Sequence, residues 1–249
     1  MEKRCRFLAI DQGNTLLKLT LFDGGEPQET CRFAGDATEE VFAAVERWKP
    51  ECGAFCSVGK LDSRLVESLR IALDGRLLLL SRSTKLPIKI DYSTPTTLGL
   101  DRIALAAGAA KLYRGETVAV VDAGTAVTLD VVDGIRGFRG GRITAGMRLR
   151  FEALHSHTSA LPLIDSDGAL PMVGDSTATS IRSGVVLGLA DEITETFRQY
   201  KETFGCTRLV ATGGDAGLLT ECIKSRIPAF HVPELMAQGL LYIYNYNEI

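Results

Sequence analysis

Apolar and polar positions along this chain follow two periods, and the switches between them mark out its elements. Phe7–Ile10 is an apolar run ending in Asp11. After Gly13 comes Leu16–Phe22, so the pattern predicts a strand, a turn and a second strand. Glu29–Phe33 predicts a third strand. Thr38–Trp48 and Ser63–Ala72 carry a helical period, the first with Thr38 as its expected N-cap and acids in its first turn. Gly53–Val58 and Leu77–Leu80 read as short buried strands. Pro87–Tyr92 reads as extended, and an Ala- and Leu-rich helix is predicted from Thr97 to about Tyr113.

From Thr117 the opening order begins again. Val118–Val121 is continuously apolar, as in a strand covered on both faces. Asp122 follows, then Gly124 and a second strand to Asp130. Gly124 is expected to allow a tight reversal without a Cβ penalty. Further on, the pattern predicts a strand around Gly134–Gly141, a helix over Ile143–His155, a loop over Asp165–Gly174 and a long helix over Thr177–Phe204. Leu209–Thr212 reads as a strand ending in Gly213-Gly214, which opens another helix, and Pro233–Asn247 as the last helix. Both halves carry an apolar run, an Asp-x-Gly and a small polar residue after it. The repetition predicts a duplicated α/β unit, one copy in residues 1–114 and one in 115–249, with two equivalent loops facing one another. Backbone N–H groups at such turns can face an anion. Two of them together suit a polyphosphate.

Composition narrows the classes. Of 249 residues, 45% are hydrophobic and 24% charged, with 25 glycines, an ordinary balance for a soluble α/β protein. The net charge of −3 lacks the basic excess of a nucleic-acid binder. No apolar run approaches the roughly 20 residues of a membrane span. No leader pattern opens the chain, so the cytoplasm is the expected compartment, with neither membrane nor nucleic acid as partner. Of the six cysteines (5, 31, 52, 56, 206 and 222) only Cys52 and Cys56 are close in sequence, so all are read as buried reduced thiols. His155-Ser156-His157 lacks a third metal ligand and reads as a surface or hinge pair. Neither Gly-x-x-x-x-Gly-Lys-Ser/Thr nor Gly-x-Gly-x-x-Gly is present, which removes the main support for P-loop and Rossmann readings.

Asp11 and Asp122 each have a plain alternative, an Asx turn that merely closes a hairpin. The recurrence of the motif favours chemistry over that alternative. Asp101-Arg102 could likewise be only a helix cap with a surface charge.

Three glycine-bearing strand ends occur in a fixed order: Asp11-Gln12-Gly13-Asn14-Thr15, Asp122-Ala123-Gly124-Thr125 and Thr212-Gly213-Gly214. They resemble the two phosphate motifs and the adenosine motif of the acetate and sugar kinase, Hsp70 and actin superfamily. Together with Gly99-Leu100-Asp101-Arg102, Gly140-Gly141-Arg142-Ile143 and Leu161-Pro162, they make the chain resemble the type III pantothenate kinases from about Phe7 to Gly239. The resemblance implies two ribonuclease-H-like (actin-like ATPase) domains with a nucleotide cleft between them. It implies ATP-dependent phosphorylation of pantothenate, on the way to coenzyme A. Asp11 would hold Mg²⁺ through water. Gln12, Gly13, Asn14, Thr15, Lys18, Gly124, Thr125, Gly213 and Gly214 would contact ATP, and Asp122 would bind a monovalent cation, K⁺ or NH₄⁺. Asp101 would be the base, and Tyr92, Gly99, Leu100, Asp101, Arg102 and Thr177 would form the pantothenate site. A homodimer is implied, with the partner subunit helping to build the acceptor pocket. The chain departs from the family in Ala145-Gly146, where Pro-Gly is usual, and in Thr94-Pro95, where Asn-Pro is usual. Two rival readings stand beside this one: a non-catalytic nucleotide-binding transcriptional accessory protein on the same fold, and a kinase of another small hydroxy acid.

Overall fold

The computed structural model describes residues 5–13, 15–35, 37–57, 59 and 63–247. Asn14 of the first motif, and Val58 at the end of a predicted strand, lie outside the described residues. The chain divides into two compact units, Met1–Leu112 joined by Glu234–Ile249, and Tyr113–Pro233.

In the first unit, β1 (Arg6–Gln12) pairs antiparallel with β2 (Leu16–Asp23), and β2 antiparallel with β3 (Glu26–Ala34). On its other side β1 runs parallel to β4 (Cys52–Ser57), and β4 parallel to β5 (Leu77–Leu79). Parallel neighbours need a crossover, and α1 (Thr38–Trp48) and α2 (Ser63–Ala72) supply the two. Strand alternation then sorts the side chains. Leu8 and Ile10 join Val41, Trp48, Leu65 and Leu69 in the core beneath α1 and α2. Cys5, Phe7, Ala9 and Asp11 have the other parity. That face is covered by α3 (Leu100–Leu112) and the C-terminal helix (Leu235–Tyr246), which pack against each other and against β4, the C-terminal helix also against β1.

The second unit repeats this plan. A central β6 (Val118–Ala123) is antiparallel to β7 (Ala126–Asp133), which is antiparallel to β8 (Gly137–Ala145). β6 is parallel to β9 (Leu209–Thr212), and β9 to β10 (Ala229–His231). Ala119, Val121 and Ala123 enter a core built with α4 (Met147–Ser156), α5 (Thr177–Phe204) and α6 (Ala216–Ile223). The two sheets share strand number, order and direction, the duplication that the repeated hairpin predicts.

Four local expectations are corrected. Ile143–Ala145 belong to the end of β8 rather than to a helix, because their pairing with Ala126–Thr128 outweighs a helical period that starts in earnest only after Gly146. Pro87–Tyr92 is irregular chain, and a 3-10 turn at Pro95–Thr97 precedes α3, which begins at Leu100. β10, three residues long, is too short to show a period and was not predicted. The C-terminal helix belongs to the first unit, not to the second half of the chain as expected.

The packing of that helix explains why. A Cβ added at Gly239 would overlap Ala104 O and stand 3.0 Å from Gly108 N, and one added at Gly108 would overlap Leu235 O. The two helices therefore cross backbone to backbone, and α3 is buried at every position from Arg102 to Ala109. Overpacking of this kind costs about 1–3 kcal/mol or more. Gly239→Ala should lower Tm by roughly 5–10 °C. Gly188→Ala in α5, where nothing lies within 4 Å of an added Cβ, should leave Tm unchanged or raise it. Thermal denaturation of both variants checks this. Equal shifts would mean that the glycine crossing does not hold the helix.

Candidate active site

Asp11 stands last but one in β1, and Asp122 last but one in β6, so the duplicated strands carry an acid at equivalent places. Their neighbours differ. Asp11 is opposite Lys18 on β2 and beside Cys56 on β4, whereas Asp122 is opposite Thr128 on β7 and beside Thr212 on β9.

In the first unit Asp11 has the parity of the α3 face, and the first turn of α3 carries Asp101. Burial pushes the Asp11 carboxyl from its ordinary 3.8 up to about 6; the negative charge of Asp101 adds to the shift and Lys18 opposes it. Cys56 reports the same surroundings. Its thiol is pushed far up, first by burial and then by the charges of Asp11 and Asp101. Sequence reasoning missed Cys56, because its place beside Asp11 depends on the register of two strands 45 residues apart. Beyond Asp11, the Gln12 side-chain oxygen is buried and has no hydrogen-bond partner among the described residues, Gly13 N–H donates to Leu16 O at 3.0 Å, and Thr15 is exposed.

Asp101 Oδ1 accepts the Arg102 backbone N–H at 2.8 Å, at a helix N-terminus that favours negative charge. A Cβ on Gly99 would overlap that same oxygen, so the carboxylate lies over bare glycine backbone. Leu100 opens α3 and is half-buried. Arg102 is only 6% exposed, and its guanidinium carbon sits 5.9 Å from the centre of the Tyr92 ring. The structure thus brings together Asp11, Lys18, Cys56 and Asp101, and pairs Tyr92 with Arg102.

In the second unit Gly124 N–H donates to Ala126 O at 3.2 Å. The reversal that Gly124 was expected to allow does not require glycine: Gly124 is not in the left-handed region, and an added Cβ would meet only Ala126 O, at 3.6 Å. What glycine leaves there is open space. The Gly213-Gly214 pair also divides in two. Gly213 has φ +97°, and an added Cβ would stand 2.6 Å from Asp122 Oδ1 and 2.5 Å from Ala123 O. Gly214 faces open space. The chain then turns into α6 through Asp215, whose N–H donates to Ala123 O at 3.0 Å and whose carboxyl is raised by burial. Thr177 is the exposed first residue of α5, next to an N-cap in which Ser176 accepts the Thr179 N–H. His155 Nδ1 lies 2.8 Å from Leu161 O, at the end of α4.

The raised Asp11 carboxyl has a thermodynamic consequence. Its folded pKa lies above its unfolded value, so between about pH 4 and 6 the folded state binds the proton more tightly, and stability falls as pH rises through that window. In nucleotide-free, metal-free buffer, Asp11→Asn should match wild type below about pH 4. Above about pH 6 it should be more stable by roughly 1–3 kcal/mol. Parallel stability curves at all pH values would show that burying this charge has no cost.

The sequence model of the type III pantothenate kinase family matches residues 7–199. A type III pantothenate kinase of Christiangramia forsetii is 35% identical over 243 residues, covering 97% of this chain and 98% of that protein. Among solved structures, a proposed Baf family transcriptional activator from Campylobacter jejuni superposes with a TM-score of 0.63 at 22% identity, covering 97% of this chain and 98% of its own. A ROK hexokinase from Thermus thermophilus superposes with a TM-score of 0.51 at 17% identity, covering 96% and 97%. Those two likenesses are of fold. The sequence matches go further: the chain belongs to the type III pantothenate kinase family.

Proposed function

We propose that this chain transfers the γ-phosphoryl group of ATP to the primary hydroxyl of pantothenate, giving 4′-phosphopantothenate and ADP, the first step of coenzyme A synthesis. One observation carries the catalytic part: the Asp101 carboxylate, laid over Gly99 at the start of α3 on the face that Asp11 shares. Asp101 orients the acceptor hydroxyl and takes its proton as that oxygen bonds to phosphorus and the bond to ADP breaks. Arg102 holds the pantothenate carboxylate through its planar fork, with Tyr92 against it and Gly99, Leu100 and Thr177 completing the acceptor site. Gln12, Gly13, Asn14, Thr15, Lys18, Gly124 and Thr125 serve the ATP phosphates. Gly213 and Gly214 leave backbone open to the nucleoside.

The donors suit the cations that the resemblance implies. Among the described residues no three His, Cys, Asp or Glu side chains gather as a metal cage. Mg²⁺ needs only one or two carboxylates when phosphates and water supply the rest, and the buried Asp11 offers one. Asp122 Oδ1 and Ala123 O converge around Gly213 at a spot that a Cβ would fill, a set of hard oxygens suited to K⁺ or NH₄⁺. Bound there, the two cations would neutralise charge developing on the phosphates.

A second copy of the chain would complete the acceptor pocket. The groove between α4 and α5, about 620 Å³ and lined by Leu154, Leu161, Ile181 and Val185, is the apolar surface we assign to it. No described helix is long and apolar enough to cross a membrane. The cytoplasm, where ATP is made available to kinases, is the proposed compartment. The fold likeness to the Campylobacter protein keeps a non-catalytic reading in view, and turnover separates the two.

Asp101→Asn should lower kcat about 10²–10⁴-fold while both substrates still bind. Gly99→Ala should fold normally, because its new methyl meets only the tip of the Asp101 side chain, and it should lower kcat by displacing that tip. Combined with Asp101→Asn, Gly99→Ala should cost little more. Initial rates over ATP and pantothenate for the three variants check this. Near wild-type turnover by Asp101→Asn would end the base assignment, and additive losses would separate Gly99 from Asp101.

A further inference from the structure

Two cysteines far apart in sequence meet at the end of the first sheet away from Asp11. The Sγ atoms of Cys5 and Cys52, separated by 47 positions, lie 2.8 Å apart, inside the contact distance of two non-bonded sulfurs. The strands explain the meeting. Phe7 is in register with Cys52, and Glu51 N–H donates to Arg6 O at 2.7 Å, so the starts of β1 and β4 are clamped together. Cys5 has the parity of Phe7, hence the face on which the Cys52 side chain stands. The ring of Tyr244 lies 5.2 Å from that of Phe7 on this face and covers it. Cys52 is 3% exposed, whereas Cys5 is partly open to solvent.

We propose that Cys5 and Cys52 are an oxidative modification site: a dithiol that hydrogen peroxide converts to a disulfide fastening β1 to β4. Cys5, the accessible member, reacts first. Its thiolate displaces hydroxide from peroxide and becomes a sulfenic acid. Cys52, buried against it, then attacks the sulfenic sulfur, the S–O bond breaks and water leaves. The sum is two thiols and one H₂O₂ giving one disulfide and two waters, with two electrons passing from the sulfurs to the peroxide. Burial, and then the Cys52 neighbour, pushes the Cys5 thiol up to about 12, so thiolate is scarce and the pair answers sustained rather than trace peroxide. The other four thiols are at other places in the fold, and none has such a partner among the described residues.

The test uses purified, fully reduced protein exposed to hydrogen peroxide, then digested without reductant and analysed by mass spectrometry. Thermal denaturation is run alongside. Expected are a cross-linked Cys5–Cys52 peptide two hydrogens lighter than its reduced parts, its loss on adding dithiothreitol, and a Tm increase of about 5–15 °C from closing so long a loop. Cys5→Ser, a nearly isosteric change at a partly exposed site, should give neither. Cys52→Ala provides a second control. Recovery of Cys5 as sulfinic or sulfonic acid without the cross-link, a cross-link to another cysteine, or both thiols unmodified when peroxide has oxidised the remaining cysteines, would overturn the proposal.

Discussion

Two carboxylates of like charge share one poorly solvated face of the first unit, and much of that unit is arranged around keeping them there. Asp11 is fixed by the central position of β1, between the parallel β4 and the antiparallel β2. Asp101 is fixed by α3, and α3 is pinned by the glycine crossing with the C-terminal helix. Left in water Asp11 would be an ordinary acid. On this face burial comes first and mutual repulsion second in holding Asp11 high, with Lys18 giving partial relief. Such a corner is costly to an empty protein and useful to one that brings in cations with a polyphosphate.

The second unit reaches a different chemistry on the same scaffold. Sheet order, strand directions and the place of the acid are repeated. The cross-strand partner changes from Lys18 to Thr128, and the parallel partner from Cys56 to Thr212. One copy surrounds its acid with ionisable groups, the other with hydroxyls and backbone oxygens. Duplication supplies the geometry, and substitution at two register positions supplies the difference.

What could be read from the sequence was local. Apolar period, Asp-x-Gly and the strand that follows lie within about fifteen consecutive residues, so both hairpins, their acids and the duplicated α/β plan were legible. What could not be read depends on pairing across the chain. The meeting of Cys5 with Cys52, and of Asp11 with Cys56, exists only once β1 and β4 are in register. The return of the C-terminal helix to the first unit depends on Gly108 and Gly239 finding each other across 131 positions, and no local pattern announces that. Ile143–Ala145 went to β8 because an edge pairing outweighed a helical period. The different roles of Gly213 and Gly214 were hidden for a similar reason, since only the fold places Asp122 against the first and nothing against the second.

The central claim is that this chain is a phosphotransferase acting on pantothenate. The most direct measurement is product analysis by ³¹P NMR and mass spectrometry, with ATP, MgCl₂, KCl and pantothenate. One 4′-phosphopantothenate should appear for each ADP, and other small hydroxy acids should be poor acceptors. Release of inorganic phosphate with pantothenate unchanged, or preferred transfer to a different hydroxy acid, would contradict it.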